Sequence, residues 1–152
     1  MFIITNRQVH ESKRGFAKFG DLPNELGPRE LRIVEATKGS RGWRIDVLPD
    51  RLTPQMKKAV NISDPGVVYC FNNDMKDVIE QSEMLRKIYK MEVVAFSWPA
   101  KGGGAVSGTL SYRRDKAIAQ VSVGALDRTI AKIQGFLIQF NNELLKDVIA
   151  SA

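Results

Sequence analysis

The first third of the chain carries short apolar runs that predict β-strands. Phe2 to Thr5 is apolar and β-branched, which predicts an opening strand. The stretch that follows, through Pro28, is rich in glycine, proline and charge, and we expect a loop there. Two further runs, LRIVEAT from Leu31 and WRIDVL from Trp43, flank the glycine-rich segment 38–42, which favours a β-hairpin.

The middle of the chain has the pattern of a βαβ unit. A threonine before proline at the start of 53–60 predicts the beginning of a helix. The continuous apolar run Val67 to Phe71 predicts a strand in the middle of a sheet. Apolar residues then recur at helical spacing from Met75 to Tyr89, and a second apolar run, Val93 to Phe96, follows. Strand, helix and strand with short connections predict a parallel sheet.

A long helix is predicted for the last third. After the glycine-rich segment 97–109, apolar residues mark one stripe: Ile118, Val121, Leu126, Ile130, Ile133, Leu137 and Phe140. Asn141 and Asn142 are expected to end or bend this helix, with a weaker turn or two after them.

Composition and charge narrow the class of protein. With 152 residues, 43% apolar and 26% charged, the chain suits one ordinary domain. The net charge of +6 raises the question of nucleic acid, but the basic residues occur as pairs, and the excess lies mainly in 1–60. Such pairs are shorter than the basic clusters that mark nucleic-acid binding, so that function is the weaker alternative.

Neither a long apolar stretch nor a basic leader is evident, which predicts a cytoplasmic protein without a membrane segment. The single cysteine, Cys70, cannot form an internal disulfide.

Three segments resemble a known family when taken together. They are TNRQVHES near the start, FNN from Phe71 to Asn73, and AFSWPAKGGG from Ala95 to Gly104. In this combination they resemble the N-terminal half of bacterial α/β-hydrolase-fold proteins of unassigned function. The resemblance implies a partial three-layer α/β-hydrolase-like fold with an N-terminal β-hairpin, a short parallel sheet core and a long C-terminal helix. In that family a further strand then carries the nucleophilic serine.

The chemistry that the family requires is absent from this sequence. The nucleophile belongs on a G-x-S-x-G turn, followed in the chain by an acid and a histidine. The nearest candidate, Ser107, has its upstream glycine three residues away instead of two, and no apolar strand leads into it. The single histidine, His10, precedes every serine in the chain, whereas the family's order places the general base last. We therefore expect no catalytic residue and no serine-hydrolase activity from this chain alone.

Two segments remain as candidate sites. The family places a His-Gly pair where this chain has Tyr69 and Cys70, so the resemblance marks a degenerate oxyanion-hole region. This region comprises Tyr69, Cys70, Phe71, Asn72 and Asn73. Cys70, at the end of an apolar strand, is expected to be a buried structural residue.

The second candidate is a loop at Ser97, Trp98 and Pro99, where the indole faces either a ligand or the neighbouring helix. Gly102 to Gly104 lack the lysine and hydroxyl of a phosphate-binding loop, and no metal-ligand spacing exists. No cofactor is predicted.

The sequence thus predicts a single incomplete α/β-hydrolase-like domain over 1–152, with N-terminal strands and hairpin in 1–60 and the βαβ unit plus long helix in 61–152. Two origins fit: a truncated or degenerate product, or one part of a split hydrolase that another chain completes. A binding module that uses the Trp98 loop or the basic N-terminal region is the alternative from another class. We expect self-association or binding of a complementary C-terminal fragment, because exposed apolar strand edges pair with other chains.

Overall fold

A mixed five-stranded sheet forms the centre of the molecule. The computed structural model describes residues 1–24, 30–51, 53–56, 65–71, 74–99 and 108–150. The strands are β1 (Phe2–Thr5), β2 (Arg7–Val9), β3 (Phe19–Pro23), β4 (Arg32–Gly39), β5 (Gly42–Leu48), β6 (Pro65–Phe71) and β7 (Glu92–Ser97). In the main sheet they lie in the order β5, β4, β1, β7, β6, while β2 and β3 pair separately.

The short strand β1 occupies the central position. It pairs antiparallel with β4, where Phe2 lies opposite Glu35, and parallel with β7, where Phe2 lies opposite Val94. All four of its residues are buried. The predicted hairpin is confirmed as β4 and β5, and the predicted opening strand as β1.

The strand predicted at Val67 to Phe71 exists, but its predicted position in the middle of the sheet is wrong. It forms part of β6, which pairs parallel with β7 and lies at the outer edge of the described sheet. The interior place next to β7 is taken by β1, whose own apolar residues pack on both faces of the sheet. An apolar run indicates burial of the strand's faces, and it does not indicate how many neighbours the strand has.

The loop predicted before Pro28 is also partly wrong. Residues Arg7–Val9 and Phe19–Pro23 form an antiparallel hairpin, with a 3₁₀ helix at Gly15–Lys18 between its strands. The hairpin is held by buried Arg7 and Phe19 at its two ends. These strands have three and five residues and contain few apolar residues. Their sequences therefore show too little alternation of apolar and polar positions to predict a strand.

Helix α1 (Met75–Tyr89) covers one face of the sheet and confirms the predicted βαβ unit. Asp74 caps it, since the Asp77 backbone N–H donates to Asp74 Oδ1 at 2.8 Å. Met75, Val78 and Ile79 are buried with Ile3, Val34, Ala36 and Ala95 in one core cluster. The helix ends at Lys90, which adopts the left-handed conformation with φ 52°.

Helix α2 (Gly108–Ala150) covers the opposite face. Ala125, Leu126 and Ile133 pack in a cluster with Ile4 and Phe96, and Phe136 and Phe140 pack near Phe2 and Ile33. The helix does not end at Asn141 and Asn142. Its 43 residues correspond to about 64 Å at 1.5 Å per residue, well beyond the width of the sheet.

Two members of the predicted stripe do not face the sheet. Val121 is 51% exposed and Ile130 is 43% exposed, whereas Ile118 is buried as predicted. The buried positions include Ser122 and Thr129 instead, so the stripe that meets the sheet is partly polar. No helix in the described part of the chain is long and apolar enough to cross a membrane.

The helix predicted at 53–60 is described only at its start. The Met56 backbone N–H donates to Thr53 Oγ1 at 3.3 Å, and residues 54–56 are helical. This is the predicted threonine cap. The remainder of the predicted segment lies outside the described residues.

Candidate functional site

The carboxyl ends of the three parallel strands meet at one edge of the sheet. Thr5 of β1 and Phe71 of β6 both lie opposite Ser97 of β7. In open α/β sheets, ligands bind in the crevice outside the carboxyl ends of parallel strands. At this edge the chain buries five polar residues, which we term the carboxyl-edge cluster: Thr5, Asn6, Arg7, Ser97 and Ser122.

Arg7 is the most unusual member of the cluster, because its charged side chain is only 1% exposed. Its Nε donates to Ser97 Oγ at 3.0 Å, and its Nη1 donates to the Gly20 carbonyl at 3.3 Å. Burial lowers the pKa of Arg7 from its usual value to about 10, while the nearby Asp21 and Asp74 carboxylates act in the opposite direction. The guanidinium is therefore still a cation at neutral pH, and it joins the start of β2 to β7 and to β3.

Thr5 and Asn6 fix the end of β1 on two further sides. Thr5 Oγ1 donates to the Ser97 carbonyl at 2.6 Å and accepts from the Arg7 backbone N–H at 3.1 Å. Asn6 Nδ2 donates to Ser122 Oγ at 3.0 Å, and the Asn6 carbonyl accepts from the Asn24 backbone at 2.8 Å. Helix α2 and the segment after β3 are thus both tied to the strand end.

The predicted ligand-facing loop begins inside this cluster. Ser97 is fully buried, and Pro99 is buried as well. Trp98 is partly exposed, and its ring centroid lies 5.9 Å from that of Phe96. It packs against the buried cluster that contains Phe96 of β7 and Ala125 of α2, which is the packing role that the sequence left open. Its buried indole Nε1 has no hydrogen-bond acceptor among the described residues.

The predicted degenerate oxyanion-hole region is described only in part. The backbones of Tyr69, Cys70 and Phe71 belong to β6, and Cys70 lies opposite Phe96 in the parallel ladder. Asn72 and Asn73 lie outside the described residues, as do Ser107 and Gly102 to Gly104. The burial of the Cys70 thiol stays a prediction.

His10 lies at the end of β2, on the small hairpin. Its backbone N–H donates to the Lys18 carbonyl at 2.8 Å, and its side chain lies against Gly20. Within the described residues, its imidazole hydrogen-bonds no serine or threonine hydroxyl. Ser97, the fully buried serine of the cluster, instead accepts from the Arg7 cation. This arrangement does not provide the base that a serine nucleophile needs.

Metal binding receives no support from the geometry. Across the described ranges, no three histidine, cysteine, aspartate or glutamate side chains come together in a way that could hold a metal ion.

Of the carboxyl-edge cluster, the sequence identified only Ser97 as a site residue and missed Thr5, Asn6, Arg7 and Ser122. The position of Asn6 and Arg7 could have indicated a site, since they directly follow a buried strand that ends at the carboxyl edge. For Ser122 the sequence gives a weaker indication: it follows Ile118 by four residues and therefore lies on the same side of the helix. Nothing in the sequence indicates that an arginine at this place is buried, because arginine is mostly exposed in proteins.

Comparisons with known proteins place the chain in no group: no family model, no curated protein and no solved structure matches it.

Proposed function

We propose that this chain is an α/β-hydrolase-like scaffold that lacks serine-hydrolase activity on its own and is completed by strands from another polypeptide. The observation that carries the proposal is the position of β6. This parallel strand is apolar from Val67 to Phe71, and no other described strand pairs with its outer side. Parallel strands are normally covered on both faces and flanked by neighbours, and an open apolar edge is a template for pairing.

A second surface supports the same proposal. Helix α2 carries large apolar side chains at intervals of four, seven or eight residues, which places them on one side of the helix. We term these residues the outer stripe of α2, and all are exposed: Val123, Ile130, Ile138, Leu145 and Ile149. A partner that pairs a strand with β6 and places an apolar surface of its own on α2 would cover both β6 and this stripe. At roughly 25 cal/mol per Å² of apolar area, covering a few hundred Å² is worth several kcal/mol.

The carboxyl-edge cluster fits the scaffold role. Its hydroxyls and amide are hydrogen-bonded to neighbouring elements: Thr5 bonds the end of β1 to that of β7, and Arg7 bonds the start of β2 to Ser97. Such a preformed edge supplies one wall of a crevice, and the proposed partner strands supply the opposite wall together with the nucleophile.

A binding module is the second candidate, and one observation favours it. The Trp98 ring is partly exposed at the carboxyl edge, and its buried Nε1 lacks an acceptor among the described residues. A ligand with a carbonyl or carboxylate oxygen could supply that acceptor.

Hydrolysis of a short-chain aryl ester tests the catalytic part of the proposal. We expect no turnover above background from the purified chain, because the described serines have no imidazole partner. The matched control is Ser97→Ala, which removes the best-positioned hydroxyl at the edge without enlarging the side chain. Turnover by the parent chain that is lost in Ser97→Ala would contradict the proposal and make Ser97 a nucleophile.

A further inference from the structure

The outer stripe belongs to the side of helix α2 that points away from the sheet. Ala125, which is fully buried in the cluster with Ile4, precedes Gln134 by nine residues. With about 3.6 residues per turn, the side chains at these two positions point in opposite directions. The stripe residues from Val123 to Leu145 lie within about 40° of the direction of Gln134. They are 43% to 61% exposed, so this side of the helix is open to a partner.

The order of apolar and polar residues on this side is the same in both directions from Gln134. On each side of Gln134, the residues four, seven and eleven positions away are apolar, polar and apolar in turn. They are Ile130, Asp127 and Val123 toward the N-terminus and Ile138, Asn141 and Leu145 toward the C-terminus. The three polar members of the pattern, Asp127, Gln134 and Asn141, are exposed like the apolar ones.

A surface with this symmetry is complementary to itself. In a two-fold interface each residue of one copy meets its counterpart from the other half of the second copy. When two α2 helices lie antiparallel with the axis at Gln134, apolar residues therefore meet apolar residues and polar residues meet polar ones. A partner of another kind would place no such requirement on the two halves of the helix.

The charge of Asp127 determines the direction of pairing. In the antiparallel arrangement its carboxylate meets the Asn141 amide of the second copy, which donates a hydrogen bond to it. In a parallel arrangement the two Asp127 carboxylates would meet each other, and like charges in an interface repel. Polar residues within an apolar helix interface fix register and orientation in this way.

We propose that two copies of this chain pair through helix α2 in antiparallel orientation, with the two-fold axis at Gln134. Ile130 then packs on Ile138 of the second copy, and Val123 packs on its Leu145. At about 1.5 Å per residue, the paired segment is about 33 Å long. The inference rests on the proposed function in that it names the polypeptide that covers the outer stripe, and it leaves the outer edge of β6 to a partner that supplies a strand.

A disulfide between two copies tests the position of the axis. Gln134→Cys would be prepared in a Cys70→Ala background, so that each chain carries one cysteine. Packed helix axes lie about 8 to 10 Å apart and each Cα lies about 2.3 Å from its axis, so the two Cα atoms at position 134 come within about 6 Å. A disulfide spans that distance, and we expect mild oxidation to convert the protein to a covalent dimer.

Asn141→Cys in the same background is the matched control, because it replaces an exposed amide on the same side of the helix. It lies seven residues from the axis, so antiparallel pairing separates the two cysteines by about 21 Å. We expect its disulfide to form at least about tenfold more slowly than that of Gln134→Cys. Circular dichroism of the reduced variants would verify that they are folded. Equal rates for the two variants, or no disulfide in Gln134→Cys, would overturn the proposal.

Asn141→Lys tests the direction of pairing with Cys70 in place. In the antiparallel dimer each new lysine meets Asp127 of the other copy, so we expect the two ion pairs to tighten the dimer about fivefold in sedimentation equilibrium. Gln139→Lys adds the same charge off the stripe and should leave the dimer dissociation constant unchanged. A weaker or unchanged dimer in Asn141→Lys would contradict antiparallel pairing, since in a parallel dimer the two lysines would repel each other.

The ester assay separates failure of this inference from failure of the proposed function. Turnover by the parent chain would end the proposed function and leave the disulfide result standing. An inactive chain in which Gln134→Cys forms no disulfide would overturn the second copy alone and leave the outer stripe to a different polypeptide.

Discussion

The centre of the sheet and the region of β6 and helix α2 differ in how many strand edges and apolar side chains the described chain covers. At the centre, β1 has a strand on each side, all of its residues are buried, and Thr5, Asn6 and Arg7 bond to β7, α2 and the β2–β3 hairpin. By contrast, β6 is paired along one edge among the described strands, and the outer stripe of α2 is exposed. The centre is thus covered by the chain's own residues, and the proposal of a partner rests on β6 and the outer stripe alone.

The largest effect on the free energy of unfolding is expected at Arg7, because this one buried side chain bonds to both β7 and β3. Arg7→Ala removes the donors to Ser97 and Gly20 and leaves a cavity, so we expect a loss of about 3 kcal/mol or more in the free energy of unfolding. Arg44→Ala is the matched control, because its exposed pair with Asp46 contributes at most about 1 kcal/mol. Urea unfolding monitored by circular dichroism measures both. Equal small losses would show that Arg7 does not hold the strand ends together.

The parent chain and Arg7→Ala also provide a test of the Arg7 pKa, by comparison of their stabilities at different pH values. Because burial lowers the pKa of Arg7 to about 10, the folded state releases this proton before the unfolded state does as the pH rises. The unfolded state then binds more protons, so Arg7's contribution to stability is constant below about pH 9 and increases as the pH rises above about 10. The difference between the parent chain and Arg7→Ala should therefore widen between pH 8 and pH 10.5. A narrowing would contradict the lowered pKa.

A smaller effect is expected at Asp74, which caps α1 and lies near the Arg7 charge. Asp74→Ala should lower the free energy of unfolding by about 1 kcal/mol, because the Asp77 N–H loses its acceptor. Asp74→Asn keeps a capping oxygen and removes only the charge, so it should cost less than about 0.5 kcal/mol. Urea unfolding again gives both values. If Asp74→Asn were as costly as Asp74→Ala, the interaction with Arg7 would outweigh the cap.

Local patterns in the sequence predicted much of the centre of the sheet and the helix α1 that covers it. The apolar run at β1, the glycine turn between β4 and β5, and the helical spacing of apolar residues from Met75 to Tyr89 each follow from a few neighbouring residues. The position of β6 depends instead on which strands come together, and a strand's own pattern does not contain that information. The burial of Arg7 was missed for the same reason, since its partners Ser97 and Gly20 are distant in the chain.

Helix α2 shows a related limit of sequence patterns. Asparagine lowers helix propensity only modestly, so Asn141 and Asn142 do not stop a helix that continues with Leu144 and Leu145. Its apolar residues also divide between the sheet-facing side and the outer stripe, and a single periodic count assigned Ile130 to the wrong side. For the candidate site, the sequence located the loop at Ser97 and Trp98 but did not identify the hydrogen-bonded cluster beneath it.

Sedimentation velocity over a range of protein concentrations tests the central claim most directly. We expect the parent chain to associate as its concentration rises, because no described strand pairs with the outer edge of β6 and the outer stripe of α2 is exposed. The double variant Ile138→Lys with Leu145→Lys should shift the protein toward monomer, since these side chains are 61% and 60% exposed. Gln139→Lys is the matched control on the same helix, where Glu143 is an equally good partner for a lysine. A parent chain that remains a monodisperse monomer and unfolds in one sharp transition at high temperature would contradict the claim, because it would show that the fold needs no partner.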